Sequence, residues 1–478
     1  MLFNSLDFAF FLPIVFFLYW FVAGKSLKLQ NIIIVASGFV FYGWWDWRFL
    51  GLMVLSASID YVSALLIEKT ESKAKRKFYL SWSLIANLGI LGFFKYYNFF
   101  AENFVSAFSL FGYHVPPSTL NVILPLGISF YTFHAMSYTI DVYHQKIKAT
   151  HNIIHYYAFI SFFPQLVAGP IARATHLLPQ FYVKREFNYT KAVDGLRQIL
   201  WGFFKKMVIA DGCGNYANMI FGHQSHYGGS TLVVGAVFFA FQLYCDFSGY
   251  SDIALGTARL FGFELRRNFA YPFFSRDTAE LWRRWHISLS TWFRDYLYIP
   301  IGGSQGSTFN KVRNVMIVFI VSGFWHGAKW NFIVWGALNG LFILPLVLTK
   351  RNRNNLEIVA QGKILPSFRD VFNMGLTFAL FVFSFIFFRA ETMPDAFHYI
   401  KGIFSGSLFS MPEIKPLTLF ALIIFCFGIE WLGREKEYAL ASFGFKWHRL
   451  VRLSFYYFVI VLIFFFTGKQ QSFIYFQF

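Results

Sequence analysis

Long apolar stretches separated by short basic segments dominate the hydropathy pattern of this sequence. Apolar runs of roughly 17–25 residues cross a bilayer as helices, because backbone N–H and C=O groups must bond internally where water is absent. We predict an all-α, polytopic integral membrane helical bundle with about eleven spans over one domain, residues 1–478. Re-entrant or interfacial helices are expected near residues 154–172, where Pro164 and Pro170 break an apolar run, and near residues 280–300.

Composition supports a membrane protein and adds no metal site. Hydrophobic residues make up 56% of the chain and charged residues only 14%, so the apolar surface exceeds what one soluble core would bury. Cys213, Cys245 and Cys426 stand singly in apolar surroundings, with neither a disulfide framework nor a metal-ligand spacing. We therefore predict that the three cysteines pack in the core.

The formal net charge of +18 records orientation rather than a nucleic-acid partner. Lysine and arginine lie mostly in short loops between the predicted spans, and such loops face the cytoplasm. Residues 25–28, 69–77 and 350–353 are examples of these basic loops. Their alternation predicts that both chain termini lie outside.

Residues 321–340, "VSGFWHGAKWNFIVWGALNG", predict a helical hairpin whose two ends are cytoplasmic. Arg313 precedes His326 by thirteen residues, which carries the ring about 20 Å into the bilayer at 1.5 Å per residue. A histidine at that depth is either a functional group or a neutral ring hydrogen-bonded inside the bundle, and the pattern leaves both readings open. Gly323 and Gly327 would allow a neighbouring backbone or a substrate to approach closely.

Residues 280–303, "ELWRRWHISLSTWFRDYLYIPIGG", predict one amphipathic helix. Aromatic residues recur every three to four positions, and Arg283, His286, Ser290 and Arg294 form a neighbouring polar face. Such a face anchors a helix at the membrane interface or holds a polyanion such as the phosphates of a coenzyme. Spacing alone favours the interfacial anchor for the arginines and leaves the role of His286 open.

Two carboxylates interrupt the apolar run of residues 238–263, "FFAFQLYCDFSGYSDIALGTARLFGF". Because a carboxylate inside a membrane is costly without a partner, Asp246 and Asp252 are expected to pair with cations. Arg259, Arg266 or an arginine of residues 283–294 would serve. Structural pairing is favoured over direct catalysis.

Four segments together resemble the membrane-bound O-acyltransferase (MBOAT) superfamily. They are "ELWRRWHISLSTWFRDYLYIP", "QLYCDFSGYSDIALG", "PQLVAGPI" and "FWHGAKWNFIVWGALNG". The closer likeness is to the bacterial branch with the alginate and peptidoglycan O-acetyltransferase membrane subunits and the D-alanyl transfer membrane protein. The resemblance implies a funnel-shaped helical bundle with a central tunnel, in which His326 of the Trp-His-Gly motif is catalytic. His286 matches the second characteristic polar position.

The implied reaction moves an acyl group from a thioester to a hydroxyl. Histidine, with an ordinary pKa of about 6.5, is suited to accept the hydroxyl proton near neutral pH. The resemblance implies cytoplasmic acetyl-CoA as the acyl-donor substrate, with no bound cofactor, and a multi-pass location in the inner membrane of a bacterium. Arg283, Arg284 and Arg294 are the candidates for binding the phosphates of acetyl-CoA.

The chain ends in "FIYFQF", where Phe473, Tyr475 and Phe478 match the carboxy-terminal Phe-x-Tyr-x-x-Phe motif of this branch. The resemblance implies that Tyr475, on an extracytoplasmic tail of residues 468–478, relays the acyl group. The recipient would be an extracytoplasmic partner resembling a serine acyltransferase or esterase, which acts on a polysaccharide. A phenol with a pKa of about 10 is a weak nucleophile and needs a base such as His326. The alternative is an aromatic tail anchored at the interface.

A transporter, a scaffold and a D-alanyl transferase are the alternative functions, and they predict different sequence features or experimental results. A transporter or channel also explains intramembrane histidines and aspartates, but it predicts an inverted repeat, and we see none. A scaffold without catalysis predicts that acylation survives replacement of His326 by alanine. Within acyl transfer, delivery of D-alanine to a cell-envelope polymer is the alternative to acetylation. The sequence does not identify the polymer.

Overall fold

A computed structural model describes residues 1–109, 120, 123–167, 169–467, 471, 473 and 474 of the chain. Every regular element in those residues is a helix, which confirms the all-α prediction. Contacts group the chain into two compact units: unit 1, Met1–Val193 with Thr257–Arg266, and unit 2, Asp194–Gly256 with Arg267–Phe478. The single domain over residues 1–478 stays a prediction.

Unit 1 holds the first half of the helices. They are α1 Leu6–Phe17, α2 Leu27–Gly43, α3 Trp47–Lys69, α4 Lys73–Leu91, α5 Tyr97–Ser109, α6 Ile128–Tyr143, α7 Ile153–Ile160, α8 Phe163–Leu166, α9 Ala174–Leu177 and the start of α10 Tyr189–Phe203. Helix α7 ends just before the predicted break. The four-residue helix α8 follows it instead of a continuous span. The interrupted apolar run is therefore confirmed.

Unit 2 continues α10 through the π-helical segment Phe204–Ala210. Its further helices are α11 Asp211–Gly222, α12 Gly229–Leu260, α13 Thr278–Arg284, α14 Ile287–Phe293, α15 Thr308–His326, α16 Trp330–Leu348, α17 Phe368–Arg389, α18 Met393–Ile403, α19 Leu417–Gly433 and α20 Arg449–Phe466. The end of α12 lies in unit 1.

Six helical stretches of the described chain are long and apolar enough to cross a membrane. They are Trp47–Lys69, Lys73–Ser109, Gly229–Leu260, Trp330–Leu348, Phe368–Arg389 and Arg449–Phe466, with shorter apolar helices at Leu6–Val22, Leu27–Gly43 and Leu417–Gly433. These helices support a multi-pass membrane protein. The count of about eleven spans stays a prediction.

Buried hydrogen bonds join three helices of unit 1 around one carboxylate. Asp60 of α3 accepts hydrogen bonds from Ser83 and Asn87 of α4 and from Thr139 of α6, the last two at 2.8 and 2.9 Å. In the same unit, Nε2 of the buried His134 accepts the Ala172 N–H at 2.9 Å. These bonds satisfy polar groups in an apolar interior, and the bond to His134 holds Ala172, which follows the break after α7.

Helices α15 and α16 form the predicted hairpin in unit 2, joined by residues 327–329. A Cβ at Gly323 would lie 2.1 Å from the Phe332 carbonyl oxygen, and one at Gly336 would lie 2.3 Å from that of Phe319. Backbones this close exclude any side chain at either position. The close approach predicted at Gly323 is confirmed, and it fixes the end of α15, where His326 lies.

We predict that Gly323→Ala lowers the apparent Tm of the detergent-purified protein by at least about 3 °C, because the new methyl group must push the hairpin apart. Gly375→Ala is the matched control, since a Cβ at Gly375 of α17 meets open space. Thermal unfolding followed by tryptophan fluorescence checks both variants. Equal Tm values for the two variants would contradict the close packing of the hairpin.

Candidate active site

His326 is the last residue of α15 and lies within a cage of aromatic rings. Its side chain is 6% exposed, and its ring centroid lies 5.0 Å from that of Trp325, 5.2 Å from Trp335 and 5.4 Å from Phe388. A neutral imidazole has a nitrogen that accepts a proton, which general base catalysis requires.

His286 lies at a break between two short helices, so the single helix predicted across residues 280–300 is wrong. Helix α13 ends at Arg284, α14 begins at Ile287, and His286 adopts a left-handed φ of 42°. The Ile287 N–H donates to the Asn268 carbonyl at 2.8 Å instead of continuing the helix. His286 is 2% exposed, whereas an interfacial polar face would expose it. The left-handed backbone conformation of His286 costs about 1–3 kcal/mol, and residues in such conformations are typical of functional sites.

Trp325 lies beside both histidines. Its ring centroid is 6.2 Å from that of His286 and 5.0 Å from that of His326. The His286 ring also lies 4.7 Å from the Phe247 ring of α12, and the two ring planes are nearly perpendicular. The structure thus brings together the two histidines that the sequence placed on separate elements.

Two buried lysines pair with the carboxylates of α12. Lys205 lies 2.7 Å from Asp252, and Lys206 lies 2.8 Å from Asp246. The cations bonded to these aspartates are therefore lysines, and the predicted arginine partners are wrong. The signal in the sequence was the Lys-Lys pair inside the apolar stretch "WGFFKKMVIA", residues 201–210.

Each lysine also reaches a second carboxylate from another helix. Lys205 lies 3.6 Å from Glu430 of α19, and Lys206 lies 2.8 Å from Asp211 of α11. Each cation is thus shared between two acidic groups, which offsets the cost of burying it.

The carboxy-terminal segment enters unit 2 beside this cluster. The Ile474 N–H donates to Asp246 Oδ2 at 2.7 Å, and the Phe473 ring lies 4.7 Å from that of Tyr250 and 6.0 Å from that of Phe247. Phe473 and Ile474 are 2% and 1% exposed. Sequence patterns did not indicate that Phe473 and Ile474 are buried. Tyr475 and Phe478 lie outside the described residues.

The three arginines predicted to bind coenzyme phosphates engage other protein groups. Arg283 donates to the carbonyl oxygens of Asn352 and Asn355 at 2.6 and 2.8 Å, Arg284 lies 2.8 Å from Glu280, and the exposed Arg294 lies 2.7 Å from Asp295. Arg283 therefore holds the loop that follows α16. The coenzyme contacts of all three arginines stay a prediction.

A polar cavity of about 700 Å³ borders the end of α17. Arg389 lines it, donates to Asn218 Oδ1 at 2.8 Å and lies over the Phe221 ring at 5.4 Å. Phe388, the preceding residue, belongs to the aromatic cage of His326. Sequence reasoning missed this cavity, whose only local signal is an arginine at the end of an apolar run.

Comparisons with known proteins agree with the geometry. Residues 130–388 match the family model of the membrane-bound O-acyltransferase family. The probable alginate O-acetylase of Azotobacter vinelandii is 36% identical over 89% of this chain and 82% of its own length. The peptidoglycan O-acetyltransferase of Helicobacter pylori is 30% identical over 100% of this chain and 98% of its own. The teichoic acid D-alanyltransferase of Streptococcus thermophilus is 30% identical over 61% of this chain and 75% of its own.

We predict that Arg283→Ala speeds tryptic cleavage after Arg351 and Arg353 about tenfold in the detergent-purified protein, because the loop loses both guanidinium bonds. Arg294→Ala is the control, since Arg294 bonds Asp295 and not this loop. Mass spectrometry of timed digests measures both rates. Unchanged cleavage in Arg283→Ala would show that Arg283 does not hold the loop.

Proposed function

Because the chain belongs to the membrane-bound O-acyltransferase family, and is thus an acyltransferase, we propose that it transfers acetyl groups from cytoplasmic acetyl-CoA across the inner membrane of a bacterium. The final acceptor is an extracytoplasmic polysaccharide. The observation that carries this proposal is the buried His326 in its aromatic cage, one tryptophan away from His286. The relatives named for alginate and peptidoglycan O-acetylation support this class of acceptor.

His326 acts as the general base of the transfer. The aromatic cage limits the access of water, which would otherwise hydrolyse a thioester at this point. The cage also holds the imidazole ring in place, which lowers the cost of orienting it for proton transfer. His286, whose ring lies 6.2 Å from that of Trp325, is the second candidate for a catalytic role.

Tyr475 is the acyl relay. Its phenol oxygen attacks the acetyl carbonyl, the bond to the coenzyme sulfur breaks, and the phenol proton passes through His326 to the departing thiolate. The product is an acetyl-tyrosine ester, from which an extracytoplasmic enzyme resembling a serine acyltransferase or esterase takes the acetyl group. The burial of Phe473 and Ile474 beside Phe247, which packs on His286, supports this role of the tail.

The donor and the acceptor approach different surfaces in this proposal. Arg283, Arg284 and Arg294 contact the phosphates of acetyl-CoA, whose charge suits a guanidinium. The polar cavity beside Arg389 serves the acceptor side, and the position of Arg389 next to Phe388, whose ring lies 5.4 Å from that of His326, supports that assignment.

Transfer of D-alanine is the second candidate, and the similarity to a D-alanyltransferase over 61% of the chain favours it. The same base and the same relay would serve both reactions. The donor separates them, because D-alanine would arrive as a thioester of a carrier protein.

We predict that purified protein incubated with acetyl-CoA gains one acetyl group on the carboxy-terminal fragment. Intact-peptide mass spectrometry should find it in the wild type and not in Tyr475→Phe. His326→Ala should reduce it at least about a hundredfold, because the phenol loses its base. His151→Ala, which removes an exposed histidine paired with Glu68, is the control and should match the wild type.

Two outcomes would contradict parts of this proposal. Equal acetylation in His326→Ala and the wild type would remove His326 as the base. A wild type without an adduct, together with full polysaccharide acetylation in cells carrying Tyr475→Phe, would remove the relay and leave direct transfer at His326.

A further inference from the structure

We infer that Asp246, held by Lys206, is the positioning residue that docks the carboxy-terminal segment beside the histidines. The inference deepens the proposed function. The contacts of the dock do not depend on that function, but the role of the dock in acyl transfer rests on it. The dock itself is defined by contacts of Gln471, Phe473 and Ile474 with unit 2.

The central contact of the dock is a hydrogen bond between a carboxylate and a backbone amide. Asp246 Oδ2 accepts the Ile474 N–H at 2.7 Å, and both residues are buried. A bond from an N–H to an ionised carboxylate is stronger than one to a neutral acceptor, and a low dielectric strengthens it further. Because the donor is a backbone N–H, this bond fixes the position of the Ile474 backbone relative to α12.

Lys206 connects the charge cluster to the segment. Its Nζ lies 2.8 Å from Asp246 Oδ1 and from Asp211 Oδ1, and it donates to the Gln471 carbonyl oxygen at 3.2 Å. The lysine thus orients Asp246 and bonds the segment at the same time. One lysine faces two carboxylates, so the N–H groups of the segment offset the remaining negative charge.

Two side chains of the segment, those of Gln471 and Phe473, make further contacts. Gln471 donates to Asn215 Oδ1 at 2.9 Å and accepts a hydrogen bond from Asn218 at 3.2 Å. Phe473 packs on Tyr250 and Phe247 of α12. The dock therefore has a polar part for Gln471 and an aromatic part for Phe473, which specifies this segment rather than any extended peptide.

The dock lies next to the histidines because Asp246 and Phe247 are consecutive residues. Asp246 bonds the segment, while the Phe247 ring contacts Phe473 and lies 4.7 Å from the His286 ring. Displacing the segment would expose this aromatic contact without touching His326. Asp246 therefore acts on the reaction through the segment and is not itself catalytic.

Asp252 offers a matched control for Asp246. It lies on the same helix, bonds Lys205 at 2.7 Å, and accepts a hydrogen bond from Gln198 at 2.7 Å. When either aspartate is removed, the lysine it paired with still has one carboxylate partner. That partner is Glu430 for Lys205 and Asp211 for Lys206. The two alanine variants thus disturb the charge balance alike and differ in the contact with the segment.

The test is amide hydrogen exchange, read by mass spectrometry on peptides that contain Ile474, with the full chain in nanodiscs. In Asp246→Ala the Ile474 amide should exchange at least about tenfold faster than in the wild type, because its acceptor is gone. In Asp252→Ala the exchange should stay within about twofold of the wild type. Equal exchange in Asp246→Ala and the wild type, or equally fast exchange in both variants, would overturn the inference.

A second pair of variants changes the segment and leaves the buried cluster intact. Ile474→Pro removes the N–H that Asp246 accepts, whereas Ile474→Ala keeps it. The remaining amides of the segment should exchange about tenfold faster in Ile474→Pro than in Ile474→Ala. Similar exchange in the two would overturn the inference even if Asp246→Ala fails to fold.

Measuring acetylation of the carboxy-terminal fragment distinguishes a failure of this inference from a failure of the proposed function. If the segment docks as described and the wild type forms the adduct, Asp246→Ala and Ile474→Pro should lose it about tenfold relative to their controls. If the wild type forms no adduct while the exchange pattern holds, the dock stands and the relay fails. An adduct at full yield on a released segment would overturn the positioning role.

Discussion

The burial of two adjacent lysines is the constraint on which unit 2 depends. Neighbouring residues on a helix point about 100° apart, so each ammonium group needs its own set of carboxylates. Lys205 therefore pairs with Asp252 and Glu430, while Lys206 pairs with Asp246 and Asp211. These bonds tie the segment Phe204–Ala210 to three helices, α11, α12 and α19. An uncompensated lysine in this interior would cost several kcal/mol, which makes the arrangement hard to change in parts.

The placement of α12 then determines the site through consecutive contacts. Asp246 is fixed by Lys206, which sets the Phe247 ring, and that ring lies against His286. Trp325 connects His286 to His326, and the close hairpin at Gly323 holds the end of α15 on the other side. The catalytic candidate is thus positioned by packing from two directions. A tightly packed interior transmits small shifts, so changes remote from His326 alter its surroundings.

Sequence patterns predicted those features that depend on residues close together in the chain. The hairpin and the close approach at Gly323 follow from apolar run length and small-residue spacing. Periodicity failed at His286, because the helical pattern runs through residues 280–300 while a bond from Ile287 to Asn268 turns the chain. The lysine partners and the burial of Phe473 and Ile474 were also missed, since both depend on contacts between residues far apart in sequence. Nothing in a single sequence fixes such pairings.

The aromatic cage also bears on what crosses the membrane in the proposed reaction. The phosphates of a coenzyme are charged, and the rings of Trp325, Trp335 and Phe388 around His326 carry no charge that would compensate them. An acetyl group is small and neutral, and it stays neutral as an ester. Transfer to a residue of the chain therefore lets the acyl group pass while the charged donor stays behind. The uncharged rings around His326 and the dock of Gln471, Phe473 and Ile474 then both favour transfer of the acyl group without its charged donor.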